Sequence, residues 1–152
     1  RGSVFVDIGS GVGKLVVAVA MVSEAAAFGI ELSTERATMA ADAVASAASL
    51  GLLSSDEVDR ITLAQGDATA DGALPQGTSH VWLANTCFPE GLTRALLAAI
   101  VALPNLRCVV ALQPLPQTAP GDACGLELVA TRLLRMSWSD VPARFYCCKR
   151  RS

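Results

Sequence analysis

The residues best suited to chemistry lie in the stretch "FVDIGSGVGKL" at positions 5–15. An acid, Asp7, closes a short apolar run, and three glycines follow at alternate positions, Gly9, Gly11 and Gly13. Glycine has no Cβ and tolerates positive φ angles, so such a loop brings its backbone close to a ligand. The pattern therefore predicts a ligand-binding loop directly after a buried strand.

Three kinds of nucleotide loop are candidates for this stretch. The phosphate loop of nucleoside triphosphatases needs a glycine and a Ser or Thr where the chain has Ile8 and Leu15. The dinucleotide pattern G-x-G-x-x-G would need its third glycine at Lys14. The D/E-x-G-x-G-x-G loop of class I methyltransferases, which bind S-adenosylmethionine, matches without a gap. The alternatives left open are a nicotinamide-dependent oxidoreductase and a catalytically silent nucleotide-binding module.

Two further acids follow predicted strands. Glu31 closes the second strand and Asp67 follows the third. Open α/β sheets bind ligands at the carboxyl ends of their strands, where these acids and Asp7 are expected to lie. A carboxylate such as Glu31 accepts hydrogen bonds from two ribose hydroxyls, and Asp67 is placed to accept one from an adenine amino group. The three acids together favour S-adenosylmethionine, whose sulfonium is positive.

The elements that must position these residues alternate between strands and helices. Strands are predicted at 4–8, 28–32, 60–64, 80–84, 107–112, 126–134 and 143–148, and helices at 13–22, 34–50 and 92–103. Continuous apolar strands alternating with helices predict an α/β fold with a Rossmann-like, mostly parallel sheet and helices on both faces. The last two strands have no full helix between them, which predicts an antiparallel hairpin at the C-terminal edge. On the 34–50 helix, the helical spacing predicts a buried face of Met39, Ala43, Ala47 and Leu50.

Composition limits the class of protein. The chain has 152 residues, 52% of them hydrophobic, which predicts a single domain over residues 1–152. The motif begins almost at the first residue, so we expect a fragment that lacks its upstream region. With a net charge of −2, the chain lacks the excess of basic residues that is typical of nucleic-acid-binding domains. No apolar run approaches the ~20 residues that span a bilayer. Five cysteines without a CxxC pair predict reduced thiols, an intracellular location and no metal site.

Four segments carry a more specific resemblance. They are "FVDIGSGVGK" (5–14), "GIELSTERA" (29–37), "NTCF" (85–88) and "SWSDVPARFY" (137–146). In this order they resemble the catalytic core of the disruptor-of-telomeric-silencing histone lysine methyltransferases, the non-SET enzymes that methylate a lysine on the core-histone surface of the nucleosome. The resemblance implies S-adenosylmethionine as cofactor, a histone or nucleosome as protein substrate, and a nuclear location.

The resemblance also implies roles for individual residues. The implied cofactor-binding residues are Asp7, Gly9, Gly11, Gly13, Lys14, Glu31, Asp67, Ala68 and Asn85. The implied catalytic residues are Asn85, Tyr146 and Trp138. Asn85 would stand beside the sulfonium and the incoming amine, and Trp138 and Tyr146 would wall the channel through which the lysine enters.

The chain departs from the family pattern at several places. Ala68 stands where the family usually has an aromatic residue, so less stacking on adenine is expected. The loop "NTCFPE" (85–90) is shorter than in the family, and the basic nucleosome-binding segments are missing. "NTCF" also resembles the Asn-Pro-Pro-aromatic motif of enzymes that methylate the exocyclic amines of bases, but both prolines are absent. The alternative within the class is a methyltransferase acting on a non-histone protein lysine or another amine.

Overall fold

The computed structural model describes residues 2–116, 125–136 and 139–149. Contacts between residues divide the chain into two compact units, residues 1–75 and residues 76–152. Within the described ranges, no helix is both long and apolar enough to span a bilayer.

The first unit alternates strands and helices. Its elements are β1 (Val4–Ile8), α1 (Lys14–Val22), β2 (Ala26–Glu31), α2 (Thr34–Ser49), α3 (Ser55–Asp59) and β3 (Ile61–Gln65). The three strands are parallel, in the order β3-β2-β1. The register pairs Asp7 with Gly29 and Glu31 with Gln65, so the carboxyl ends of these strands lie together at one edge.

Local signals explain where the helices of this unit begin. The Ser33 side chain caps α2 by accepting a hydrogen bond from the Arg36 N–H, as its N-cap position predicts. The short α3 was not predicted. It begins with a capping box in which the Ser54 hydroxyl accepts from the Glu57 N–H and the Glu57 carboxylate accepts from the Ser54 N–H. The spacing "S-D-E" after Ser54 is the sequence signal for this helix.

The predicted buried face of α2 is wrong. Met39 is 53% exposed and Leu50, just beyond the helix, is 73% exposed, whereas the buried residue of the helix is Ala40. The Ala40 methyl group lies 3.3 Å from where a Cβ on Gly13 would be, so this helix packs through small side chains. Alanines occur on every face of α2, and the apolar spacing therefore did not identify the face that packs.

The second unit begins with parallel strands and ends in a hairpin. Its elements are β4 (His80–Leu83), a short 3-10 helix (Asn85–Cys87), α4 (Glu90–Val101), β5 (Cys108–Ala111), β6 (Gly125–Arg135) and β7 (Asp140–Lys149). The strand order is β4-β5-β7-β6. β4 and β5 are parallel, while β7 runs antiparallel to both β5 and β6. The α/β class and the mostly parallel arrangement with an antiparallel C-terminal hairpin are confirmed.

The state of the cysteines differs in part from the prediction. Cys87, Cys108 and Cys147 are free thiols, but Cys148 is disulfide-bonded. The expectation that every cysteine is reduced is therefore wrong for Cys148. No group of three or more His, Cys, Asp or Glu side chains among the described residues is arranged to hold a metal ion.

Candidate functional site

The loop after β1 has the backbone conformation that its glycines predict. Gly9, Gly11 and Gly13 have φ angles of 77°, 56° and 76°, all in the left-handed region that favours glycine. The N–H groups of Gly9 and Ser10 both donate to the Ile30 carbonyl oxygen, at 2.8 and 3.1 Å. The loop is therefore fastened to the carboxyl end of β2.

Gly29 in β2 is needed for close packing under this loop. A Cβ at Gly29 would lie 2.8 Å from both the Ser10 Oγ and a methyl carbon of Val16. Real Cβ atoms essentially never approach this closely, so no side chain fits at this position. Gly29 was not among the predicted site residues, although a glycine inside a strand is a signal of close approach.

Glu31 is the acid that joins the loop to the second strand. Its carboxylate is buried, and it accepts hydrogen bonds from the Gly11 N–H at 2.8 Å and from the Ser33 N–H at 2.9 Å. One bond uses Oε2 and the other uses Oε1, which fixes the plane of the carboxylate. A carboxylate has about four acceptor positions, so each oxygen keeps capacity for a ligand hydroxyl. This arrangement suits the predicted contact with two ribose hydroxyls.

Asp7 lies beside Glu31 at the same edge of the unit. Its side chain is only 4% exposed, and burial together with the negative charge of Glu31 raises the pKa of Asp7 to about 7. Two close, buried carboxyl groups favour a positively charged ligand and repel a phosphate. The amino and sulfonium groups of S-adenosylmethionine fit this environment, and the pyrophosphate of a dinucleotide does not.

Asp67 lies just after β3 and is exposed. Its Oδ1 atom accepts hydrogen bonds from the N–H and the hydroxyl of Thr69, at 2.8 and 2.7 Å, and these bonds lower the pKa of Asp67. Both bonds use the same oxygen, so Oδ2 remains available for an amino group. Ala68 beside it is buried, and Lys14 is exposed at the first position of α1. The contacts of these three residues with a cofactor remain predictions.

In the second unit, Asn85 is held by the segment after β5. It is 3% exposed, and its Oδ1 accepts a hydrogen bond from the Gln113 N–H at 2.8 Å while its Nδ2 donates to the Gln113 carbonyl oxygen at 3.5 Å. The backbone of Gln113 therefore fixes which way the amide faces. The sequence did not point to Gln113, because backbone groups carry no residue signature.

A cavity of about 320 Å³ opens beside Asn85. It is lined by Asn85, Thr86, Phe88, Glu90, Thr93, Gln113, Pro114 and Pro116. One wall is apolar, and Glu90, whose carboxylate forms an ion pair with Arg94 at 2.6 Å, adds a polar group. A cavity of this size is large enough to admit the end of an extended side chain.

Tyr146 of β7 stabilises the same segment of chain. It is buried, and its hydroxyl oxygen accepts a hydrogen bond from the Leu115 N–H at 3.1 Å. The Tyr146 hydroxyl group can therefore still donate a hydrogen bond to another acceptor. Trp138, the other aromatic residue with a predicted role, lies outside the described residues. The roles of Asn85 and Tyr146 in catalysis remain predictions.

Comparison with protein-family models identifies the family of residues 1–119. The model for "Histone methylation protein DOT1" matches residues 1–119. A comparison with curated protein sequences gave no match.

Comparison with solved structures gives several methyltransferases. Magnesium protoporphyrin IX methyltransferase from Synechocystis, crystallised with S-adenosylmethionine, is 18% identical, with a TM-score of 0.70 over 97% of this chain and 70% of that chain. An RNA methyltransferase from Salinibacter ruber in complex with S-adenosylhomocysteine is 20% identical, with a TM-score of 0.65 over 99% and 84%. The glycopeptide N-methyltransferase MtfA is 16% identical, with a TM-score of 0.67 over 96% and 83%. At these identities the likeness establishes the methyltransferase fold.

Proposed function

The chain belongs to the histone methylation protein DOT1 family, and on this premise we propose that it methylates a lysine side chain of a core histone in the nucleosome. The reaction class is that of an S-adenosylmethionine-dependent methyltransferase. The observation that carries the proposal is the fixed carboxylate of Glu31 beside the buried carboxyl group of Asp7, because such a pair would favour a cofactor with a positive methionine end. The fold and the family match support the same class.

The first unit would bind the cofactor. Glu31 would accept hydrogen bonds from the ribose hydroxyls, and Asp67 would accept one from the adenine amino group through its free Oδ2. Asp7 would hold the positive methionine end, and Gly9, Gly11 and Gly13 let the loop backbone approach it. S-adenosylmethionine, when bound, supplies an electrophilic methyl group.

The second unit would receive the amine. A lysine amine has a pKa near ~10.4 in water and must lose a proton before it is nucleophilic. The apolar wall formed by Phe88, Pro114 and Pro116 favours the neutral amine, because burial disfavours charge. Asn85 would accept a hydrogen bond from this amine through the second lone pair of Oδ1, and so orient its nitrogen.

A histone target also gives expectations for location and partners. We propose that the protein acts in the nucleus on a protein substrate, and that the residues of this chain do not bind nucleic acid directly. The net charge of −2 supports this, because a domain that holds DNA through phosphates carries a basic surface.

The test is transfer of labelled methyl groups from S-adenosylmethionine to recombinant nucleosomes or to free core histones. Label on a histone lysine, located by peptide mapping, is the expected result. A matched reaction with the Glu31→Gln variant should give background incorporation.

Two outcomes separate the substrate from the reaction class. If the protein binds S-adenosylhomocysteine but labels neither nucleosomes nor histones, the histone assignment is wrong and the methyltransferase class stands. If calorimetry detects binding of NAD and none of S-adenosylhomocysteine, the reaction class itself fails.

A further inference from the structure

Two free thiols face each other across neighbouring strands of the second unit. The antiparallel register of β5 and β7 pairs Cys108 directly with Cys147. Both are free and partly buried, and Cys147 lies close enough to Cys108 to help raise the pKa of its thiol. A disulfide needs two cysteines whose Cβ atoms point toward each other, and directly paired residues on adjacent strands meet this condition.

The backbone hydrogen bonds show which type of pair this is. The Cys108 N–H donates to the Ser79 carbonyl oxygen, away from β7. The next pair along the ladder is bonded across the strands, because the Cys148 N–H donates to the Arg107 carbonyl oxygen at 2.9 Å. Hydrogen-bonded and non-hydrogen-bonded pairs alternate, so Cys108 and Cys147 form a non-hydrogen-bonded pair. In such pairs the Cα atoms are only about 4.5 Å apart and the side chains are closest, which falls within the range of disulfides.

The surroundings of the pair leave it open to small reagents. The register places His80 of β4 beside Cys108 and Glu127 of β6 beside Cys147, so the four residues form one row across the strands. Glu127 is exposed and forms an ion pair with Lys149 at 3.4 Å. Neither thiol is fully buried, so a small disulfide can reach the pair from the β6 side.

We propose that Cys108 and Cys147 are an oxidation site that closes reversibly into a cross-strand disulfide in the presence of a small-molecule disulfide such as oxidised glutathione. The Cys147 thiolate attacks one sulfur of the oxidant and releases one glutathione thiolate. The Cys108 thiol then loses its proton and attacks the Cys147 sulfur, which releases the second glutathione. Two thiols are oxidised, one glutathione disulfide is reduced to two glutathiones, and the two protons end on the released thiolates.

The order of attack follows from the environment of Cys108. Burial and its neighbour Cys147 raise the pKa of Cys108 to about 11, so its thiolate is scarce at neutral pH. We therefore assign the first attack to Cys147. Closure by Cys108 should be the slow step, and below that pKa its rate should rise about tenfold for each unit by which the pH is raised.

The experiment is differential thiol labelling of the whole chain. The protein is incubated with reduced or oxidised glutathione, free thiols are blocked with light N-ethylmaleimide, and disulfides are then reduced and labelled with the heavy reagent. Fragmentation of the peptide "FYCCK" (145–149) separates Cys147 from Cys148, which is already disulfide-bonded and carries the heavy label throughout. We expect Cys108 and Cys147 to change from light to heavy together, while the exposed Cys87 stays light or, if it forms a glutathione adduct, becomes heavy and adds the mass of glutathione to the intact protein. The intact mass should fall by two hydrogens for the new bond.

Two variants serve as matched controls. Cys108→Ser should leave Cys147 able to form only a stable glutathione adduct, and Cys87→Ser should leave closure unchanged. A persistent glutathione adduct on Cys147 of the unaltered protein would overturn the proposal. So would exchange with Cys148, or a Cys108 that stays light at every pH. The label pattern of the unaltered protein decides the matter even if a variant folds poorly.

Discussion

The carboxylate of Glu31, at the end of β2, accepts a hydrogen bond at 2.8 Å from the Gly11 N–H in the loop after β1. The second oxygen of the same carboxylate holds the Ser33 N–H, which begins α2. One side chain thus ties together the glycine loop, a strand end and a helix start. We therefore expect a substitution of Glu31 to disturb the structure of the cofactor site, in addition to removing a direct contact with ribose.

Glu31→Gln should weaken binding of S-adenosylhomocysteine by about 100-fold. The amide keeps one oxygen acceptor but turns an NH2 group toward a backbone N–H, and an unpaired buried donor costs about 1–3 kcal/mol. Calorimetric titration measures the affinity, and thermal unfolding measures the loss of stability. Glu35→Gln is the control, because Glu35 lies exposed in the first turn of α2. Equal affinities of the two variants would show that Glu31 does not organise the site.

Asp7→Asn should make the unliganded protein more stable at alkaline pH. The unfolded pKa is near 3.8 and the folded pKa is about 7, so the folded protein holds an extra proton between these values and loses stability as pH rises through them. The amide cannot ionise, so the variant should match the parent near pH ~4 and exceed it near pH ~8 by at most about 4 kcal/mol. Urea unfolding at both pH values measures this difference.

The same Asp7→Asn variant should bind S-adenosylhomocysteine more weakly, because the charge that attracts the methionine amino group is lost. For the dependence of stability on pH, Asp67→Asn is a useful comparison. The Asp67 carboxyl group is exposed and its pKa is lowered rather than raised, so this variant should not gain stability at alkaline pH. If the stability of the unaltered protein does not fall relative to that of the Asp7→Asn variant as pH rises, the assigned environment of Asp7 is wrong.

Gly29→Ala should destabilise the first unit by about 1–3 kcal/mol, as overpacking of a close contact typically does. The added methyl group would meet Ser10 and Val16 at 2.8 Å, so the loop after β1 must shift and cofactor binding should weaken as well. Chemical denaturation measures the first effect and calorimetry the second. At Gly91, in α4, an added methyl group meets nothing within 4 Å. Gly91→Ala should therefore be neutral or stabilising.

Asn85→Ala should reduce the methylation rate by about 100-fold or more, if Asn85 orients the amine. The substitution removes the acceptor for the amine and also the partner of the Gln113 N–H. Single-turnover measurements at saturating cofactor separate this effect from binding. Asn105→Ala is matched in chemistry, because the Asn105 side chain also donates to a backbone carbonyl, that of Gln76, but at the surface. Comparable methylation rates in the two variants would show that Asn85 does not act in the mechanism.

The first half of the site could be predicted from the sequence because its signals are local. The acid and the three glycines occupy fixed positions in one short loop, and the loop has the positive φ angles that such spacing requires. Glu31 was also predictable, because the last residue of a parallel strand lies at the ligand-binding edge whatever the rest of the fold does.

Other features depended on contacts between residues distant in the chain. The face of α2 that packs is determined by the contact of Ala40 with Gly13. Because α2 is rich in alanine, its sequence does not indicate which face this is. The orientation of Asn85 comes from the backbone of Gln113, which lies 28 residues away.

The sequence by itself determined the class of fold, the glycine loop and the acids that favour S-adenosylmethionine, because strand period, glycine conformation and charge are properties of short segments. Only the tertiary structure decided that Glu31 is locked by two N–H groups, that burial raises the pKa of Asp7, and that Cys108 meets Cys147. Hydrogen bonds, burial and cross-strand register arise when distant segments pack together, and no single segment contains them.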